Sequence, residues 1–133
     1  MPVVTLLVAG LHGLLLLSLS LPVVLMRRGR RVGLGDGGDP QLLRRIRIHA
    51  NFIENVPFAL IVLALLELSG LERSWVAVLG GMLLIARLLH ALGLSRSSGY
   101  SFGRFTGTVL TWTVIGTGSI LAIVRSIAML TVH

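Results

Sequence analysis

Residues 44–57 read RRIRIHANFIENVP and open a segment, about 42–68, that is apolar from residue 56 onward. The first half of that segment carries charged and amide side chains, at Arg44, Arg45, Arg47, His49, Asn51, Glu54 and Asn55. Such groups are costly at membrane depth, so in a membrane helix they mark a functional site by default. The stretch therefore predicts a membrane-spanning helix and also the place of its chemistry.

The rest of the chain is equally apolar. Of its 133 residues, 54% are hydrophobic, and the mean hydropathy is +0.91. A spanning helix needs roughly 20 mostly apolar residues, and four segments reach that length, at about 3–26, 42–68, 74–95 and 106–131. We expect the first to be retained rather than cleaved as a signal peptide, because its basic cluster follows the apolar run. Residues 1–133 are thus predicted to form one all-α membrane domain, a four-transmembrane-helix bundle.

The positions of the arginines predict how the bundle is oriented. All twelve basic residues are arginines, and most lie after the first helix, at the start of the second, or after the third. The positive-inside rule places the first and third loops in the cytoplasm. We therefore expect a multi-pass protein of a bacterial inner membrane with both termini in the periplasm. The arginines favour lipid head groups or an anionic ligand as partners, and not nucleic acid.

The absence of cysteine limits the chemistry of the chain. It excludes disulfides, thiolate metal sites and a cysteine nucleophile. Any thiol that reacts must therefore come with a substrate. No metal site is predicted. The glycine-rich stretch GLGDGGDP at 33–40 is interpreted as a turn, because no strand precedes it and no GK[ST] follows it. Asp39 is its predicted cap for the second helix.

Helical geometry arranges the polar residues into stripes. At about 100° per residue, one face of the second helix, about 100° wide, holds Arg44, Arg47, Asn51, Glu54 and Asn55, whereas His49 lies on another face. On the third helix, Arg87 and His90 share a face at the same depth, and Leu94 extends it. The pattern assigns no role to His12 or to Glu67, which lies at a helix end.

Two interpretations of the stripe remain open. In the structural one, Arg47 pairs with Glu54 and the asparagines join helices through hydrogen bonds. In the functional one, the stripe lines a cavity for a zwitterionic or anionic ligand. The arginines bind the carboxylates of that ligand, and Glu54 accepts a hydrogen bond from its ammonium group.

The run from Arg44 to Pro57 resembles the signature of the MAPEG family, the membrane-associated proteins in eicosanoid and glutathione metabolism. The motifs RRGRRVGLGDGG at 27–38 and ARLLHALG at 86–93 are similar to those of its small bacterial members. The resemblance covers nearly the whole chain. It implies a homotrimer of four-helix subunits that binds glutathione between neighbouring subunits near the cytoplasmic side.

The resemblance also implies roles for individual residues. The implied glutathione-binding set is Arg27, Arg44, Arg47, His49, Asn51, Glu54, Asn55, Arg87 and His90. Arg104 matches the arginine that stabilises the glutathione thiolate, and Arg28 is a second candidate catalytic residue. Leu94 and Asn55 stand where some better-studied relatives have aromatic residues.

Three functions follow as hypotheses. The leading one is an enzyme, a glutathione S-transferase or glutathione-dependent peroxidase that acts on a lipophilic electrophile arriving from the bilayer, with an arginine lowering the pKa of the thiol. The alternative is a non-catalytic, lipid- or ligand-binding trimeric membrane protein in which the stripe serves assembly. A small transporter is disfavoured, because the chain has no repeat halves and no broken helices in corresponding positions.

Overall fold

A computed structural model describes residues 1–96 and 101–131 as four α-helices. They are α1 (Val3–Arg30), α2 (Pro40–Leu68), α3 (Arg73–Arg96) and α4 (Phe102–Thr131). Each is long and apolar enough to cross a membrane, which confirms the predicted all-α, four-helix fold. Residues 97–100 of the predicted third loop, and the side chain of Arg96, lie outside the described part of the chain.

Two helix ends differ from the prediction. The first helix continues beyond residue 26 through the arginine cluster to Arg30, and the fourth begins at Phe102 rather than at about residue 106. Both extensions lie at what we call the arginine-rich end of the bundle, where α1 ends, α2 begins, α3 ends and α4 begins. The side chains of Arg27, Arg28 and Arg30 therefore project from a helix instead of a loop, and Arg31 follows as the residue that ends it.

The turn between α1 and α2 is closed by Asp39. Its carboxylate accepts hydrogen bonds from the backbone N–H groups of Gln41 (2.8 Å) and Leu42 (3.4 Å), and Pro40 occupies the first turn of α2. Proline suits that position because the N–H it lacks has no partner within the helix. Asp39 also pairs with Arg30. The predicted cap is therefore present, and it joins the two helices.

The apolar core lies among α2, α3 and α4, and its buried residues are Ala59, Leu63, Val76, Leu79, Leu83 and Val114. By contrast, α1 and α4 present large apolar side chains outward, including Leu6, Leu14, Leu17, Trp112 and Ile120, which are all about two thirds exposed. A surface this apolar suits contact with hydrocarbon or with another membrane helix.

Glycines bring α3 and α4 together beside the arginine-rich end. A Cβ atom added to Gly107 would lie 2.5 Å from the carbonyl oxygen of Ala86 and 2.7 Å from the backbone nitrogen of His90. Such close approach of backbones is typical of membrane helices that meet at small residues. Gly116, another glycine of α4, is exposed, and a Cβ there would meet nothing within 4 Å.

At the opposite end, Glu67 of α2 caps α1. Its carboxylate accepts from the backbone N–H groups of Val4 (3.0 Å) and Thr5 (2.8 Å) and from the Thr5 hydroxyl (2.8 Å). The first N–H groups of a helix lack partners within the helix, and negative charge there is favourable. A residue to which the sequence assigned no role therefore holds the start of α1 against α2.

We predict that Gly107→Ala destabilises the bundle by roughly 1–3 kcal/mol, the usual cost of overpacking. The added methyl group would collide with the backbone of α3. The measurement is the midpoint of thermal unfolding in detergent micelles, with Gly116→Ala as the matched control in open space. An unchanged midpoint for Gly107→Ala would contradict the close packing of α3 on α4.

We predict that Glu67→Gln loosens the start of α1, because an amide offers one acceptor oxygen where the carboxylate offers two. Amide hydrogen exchange should accelerate at residues 3–8 and stay unchanged in α3. The control is Glu72→Gln, the same change at an exposed position of the same end. Equal exchange in the wild type and Glu67→Gln would exclude the cap.

Candidate functional site

A cleft of about 390 Å³ opens between α2, α3 and α4 at the arginine-rich end. Its lining residues are Leu43, Arg44, Arg47, Asn51, His90, Leu94, Arg104 and Thr108. The volume falls within the roughly 300–1,000 Å³ that small-molecule sites occupy. We call this feature the arginine cleft.

Helical spacing explains why these residues meet. On α2, Arg44, Arg47 and Asn51 follow one another at intervals of three and four, so they share a face. Pairs four residues apart do the same on the other two helices, His90 with Leu94 on α3 and Arg104 with Thr108 on α4. The close contact of α3 with α4 at Gly107 then sets those two pairs beside each other. Three stripes from three helices thus line one cleft.

The electrostatic character of the cleft is positive. Three guanidinium groups line it, and none of the described lining residues is acidic. Arg44 is half-buried, whereas Arg47 and Arg104 are exposed. Guanidinium groups stay charged and bind carboxylates through paired hydrogen bonds. The cleft is therefore suited to an anionic ligand.

Arg87 lies behind the cleft rather than in it. Its side chain is 2% exposed, and its Nη2 donates to Asn51 Oδ1 at 2.7 Å. Its Nη1 donates to Thr111 Oγ1 at 3.3 Å, and its guanidinium lies 5.8 Å from the centre of the Phe52 ring. The sequence predicted that Arg87 and His90 share a face. In the structure His90 lines the cleft, whereas the Arg87 guanidinium turns into the bundle and lies behind it.

His90 lines the cleft and is otherwise enclosed, with 4% of its surface exposed. Its Nδ1 is buried and has no hydrogen-bond partner among the described residues. A second histidine, His12 of α1, is also buried. Its Nδ1 lies 2.8 Å from the carbonyl oxygen of Val8, and its ring packs near Phe52. His12 therefore belongs to the interface of α1 with α2.

Besides Arg87, five residues that the resemblance assigned to the site do not line the cleft. Glu54 is exposed, and Asn55 donates from Nδ2 to the backbone oxygen of Asn51 at 2.9 Å. His49 is half-buried on another face of α2, as its helical position predicted, and α1 carries a half-buried Arg27 and an exposed Arg28. The polar stripe on α2 is broader than the cleft, so the side of the stripe that carries Glu54 faces away from the bundle.

Two further details bear on the site. Among residues 1–96 and 101–131, no ion pair joins Arg47 to Glu54, so the structure gives no support to the pairing considered for them. Thr108, which no motif indicated, lines the cleft four residues after Arg104. Helical spacing from Arg104 would have located it.

Comparison with known proteins places this site within a family. The model of the MAPEG family matches residues 5–124, a range that contains every residue lining the cleft. The chain is 41% identical over 90 residues to the inner membrane protein YecN of Escherichia coli strains K12 and O6:H1. The aligned region covers 68% of this chain and 69% of YecN.

We predict that the arginine cleft concentrates anionic reagents. Because the chain contains no cysteine, the single thiol of Thr108→Cys can report on the cleft alone. The ratio of its modification rate with the anionic sulfonatoethyl methanethiosulfonate to that with the cationic trimethylammonium analogue should be about tenfold higher than at a thiol outside the cleft, since a charged cleft raises the local concentration of counter-ions.

The control thiol is Thr131→Cys, at the other end of α4, where the last turn carries no basic residue. This thiol gives the reference ratio of the two rates, and adding Arg104→Ala to Thr108→Cys should lower the ratio towards it. Equal preferences at both positions would show that the cleft has no positive field of its own.

Proposed function

This chain belongs to the MAPEG family, and we propose that it is a glutathione-binding membrane enzyme that transfers glutathione to lipophilic electrophiles. The observation that carries the proposal is the arginine cleft, which Arg44, Arg47 and Arg104 line together with Asn51 and His90. Glutathione offers two carboxylates, an amide backbone and a thiol. Three guanidiniums with no acidic neighbour in the described lining match the carboxylates, and His90, which lines the same cleft, offers a further polar contact.

In this proposal the residues of the cleft have two roles, binding of the glutathione carboxylate and stabilisation of its thiolate. Arg44 and Arg47 hold a carboxylate of glutathione with paired hydrogen bonds, and Asn51 contacts the same end of the molecule. Arg104, on the opposite wall, lies beside the sulfur. Glutathione supplies a thiol that releases its proton to water and attacks the electrophile as a thiolate, so that a carbon–sulfur bond forms as a leaving group such as chloride departs. The Arg104 guanidinium favours that form because an adjacent positive charge lowers the pKa of a thiol.

The surface beyond Arg104 supports a lipophilic second substrate. A groove of about 230 Å³ follows α4 there, and its apolar lining residues are Phe105, Val109 and Trp112. The groove shares Arg104 and Thr108 with the arginine cleft. An apolar molecule that enters from the bilayer would therefore have its reactive group next to the guanidinium, and proximity of the two reactants supplies much of the rate.

We also propose a homotrimer in a bacterial inner membrane. Arg47 and Glu54 are exposed on α2 of the single chain, and charged side chains within a membrane span cannot face lipid. A second copy that covers this face would bury both, and Glu54 would then be available to the ammonium of glutathione. The positive-inside rule places the arginine-rich end in the cytoplasm and both termini in the periplasm.

We predict that the purified protein, in lipid nanodiscs, conjugates glutathione with 1-chloro-2,4-dinitrobenzene above the uncatalysed rate. Arg104→Ala should lower that rate at pH 7 by about tenfold or more, because loss of an adjacent charge raises the thiol pKa by about a unit or more. Arg47→Ala should mainly raise the KM for glutathione. The control is Arg73→Ala, the same change at an exposed position of the opposite end.

Two outcomes would change the proposal. No turnover above background with several electrophiles would remove the enzymatic part. If glutathione nevertheless raised the melting temperature, the protein would be a non-catalytic binder of the same ligand. If glutathione had no effect on melting while Glu54→Ala dissociated the trimer, the polar stripe would serve assembly alone.

A further inference from the structure

The hydrogen bond between Arg87 and Asn51 determines which way the asparagine amide points. A guanidinium has only donors, so the atom that accepts from Arg87 Nη2 at 2.7 Å has to be the amide oxygen of Asn51. The –NH₂ group of Asn51 is then the other branch of the amide. Because Asn51 lines the arginine cleft, that branch is the part of the side chain left for a ligand.

The partners of Arg87 hold it in this position. Its guanidinium is enclosed between Phe52 and Thr111, with 2% of the residue exposed. The Thr111 hydroxyl donates its hydrogen to the backbone oxygen of Gly107 at 2.7 Å, so towards Arg87 its oxygen acts as an acceptor. Breaking this arrangement would leave a buried charge without partners, which is strongly unfavourable.

The charge of Arg87 also acts on the cleft from behind. No carboxylate among residues 1–96 and 101–131 pairs with it. Its field therefore adds to that of the three arginines that line the cleft, and buried charge is screened less than charge in water.

We propose that Arg87 is a positioning residue that turns the Asn51 amide so that its N–H donors face the cleft, which makes this wall specific for carboxylates. Arg44, Arg47 and the Asn51 –NH₂ group then form a row of donors along α2. A carboxylate satisfies all of them, whereas a neutral amide in the same place brings its own donors into conflict with theirs. The inference rests on the proposed glutathione site but names the chemical group that the site selects.

The test compares a dicarboxylate with its neutral isostere. Binding of glutarate, glutaramide and glutathione to the protein in nanodiscs is measured by titration calorimetry. We expect the wild type to bind glutarate and glutathione and to discriminate against glutaramide. Asn51→Asp keeps the acceptor for Arg87 but replaces the donor in the cleft with a charged oxygen, so glutarate and glutathione affinity should fall about tenfold or more, as expected for hydrogen bonds to charged groups.

The matched control is Gln41→Glu, the same amide-to-carboxylate change at another residue of α2 whose side-chain oxygen accepts from an arginine, Arg30, and which does not line the cleft. It adds an equal charge, yet it should reduce affinity far less. Without ligand, Asn51→Asp should melt no lower than the wild type, because Arg87 gains a counter-ion. Affinity for glutarate that is equal in Asn51→Asp and the wild type would overturn the proposal.

A double-mutant cycle separates positioning from structural support. In the wild type, Asn51→Ala should reduce glutarate affinity. In the background of Arg87→Met, where the amide is free to turn, the same substitution should reduce it much less. If turnover is present, Arg87→Met should raise the KM for glutathione and leave kcat little changed. An equal cost of Asn51→Ala in both backgrounds would refute the role of Arg87.

The outcomes also distinguish this inference from the proposed function. Glutarate binding that depends on Arg87, with no binding of glutathione, would refute the proposed function and keep the inference. Glutathione binding that is the same in the wild type, Arg87→Met and Asn51→Asp would refute the inference and keep the proposed function. A wild type that binds neither ligand would refute both.

Discussion

A charged side chain within a membrane helix has to find its partners inside the protein, and the arrangement of this bundle follows from that constraint. Arg87 shows it most clearly. Arg87 belongs to α3, and its enclosed guanidinium donates hydrogen bonds to Asn51 of α2 and to Thr111 of α4. One buried charge therefore joins the three helices that form the arginine cleft. The α1 residue His12 packs on Phe52, the same ring that the Arg87 guanidinium covers.

The glycine contacts and the polar contacts depend on each other. Gly107 allows α4 to approach α3 closely enough for the Thr111 hydroxyl, one turn further along, to reach Arg87. The same approach sets Arg104 and Thr108 beside His90. Packing of small residues, which supplies van der Waals contact in lipid, thus also creates the cleft. A residue larger than glycine at this crossing would disturb both.

The two surfaces on either side of Arg104 give the proposed chemistry its physical basis. One side is the arginine cleft, suited to a charged, water-soluble ligand, and the other is the apolar groove along Phe105, Val109 and Trp112. A reaction between a polar thiol and a lipophilic molecule needs such a boundary. The guanidinium at the boundary is the group that a thiolate would contact.

The amino-acid sequence by itself determined the four spans, the cap at Asp39, the family and the residues that follow helical spacing on α2. These features are local, because they depend on hydropathy and on the turn of one helix. Only the tertiary structure separated Arg87 from His90, turned Glu54 outward and paired Glu67 with Thr5, 62 residues away in the chain. Helical periodicity gives the direction in which a side chain points around the axis of its helix. Which neighbouring helix packs against that side chain depends on contacts between distant segments of the chain.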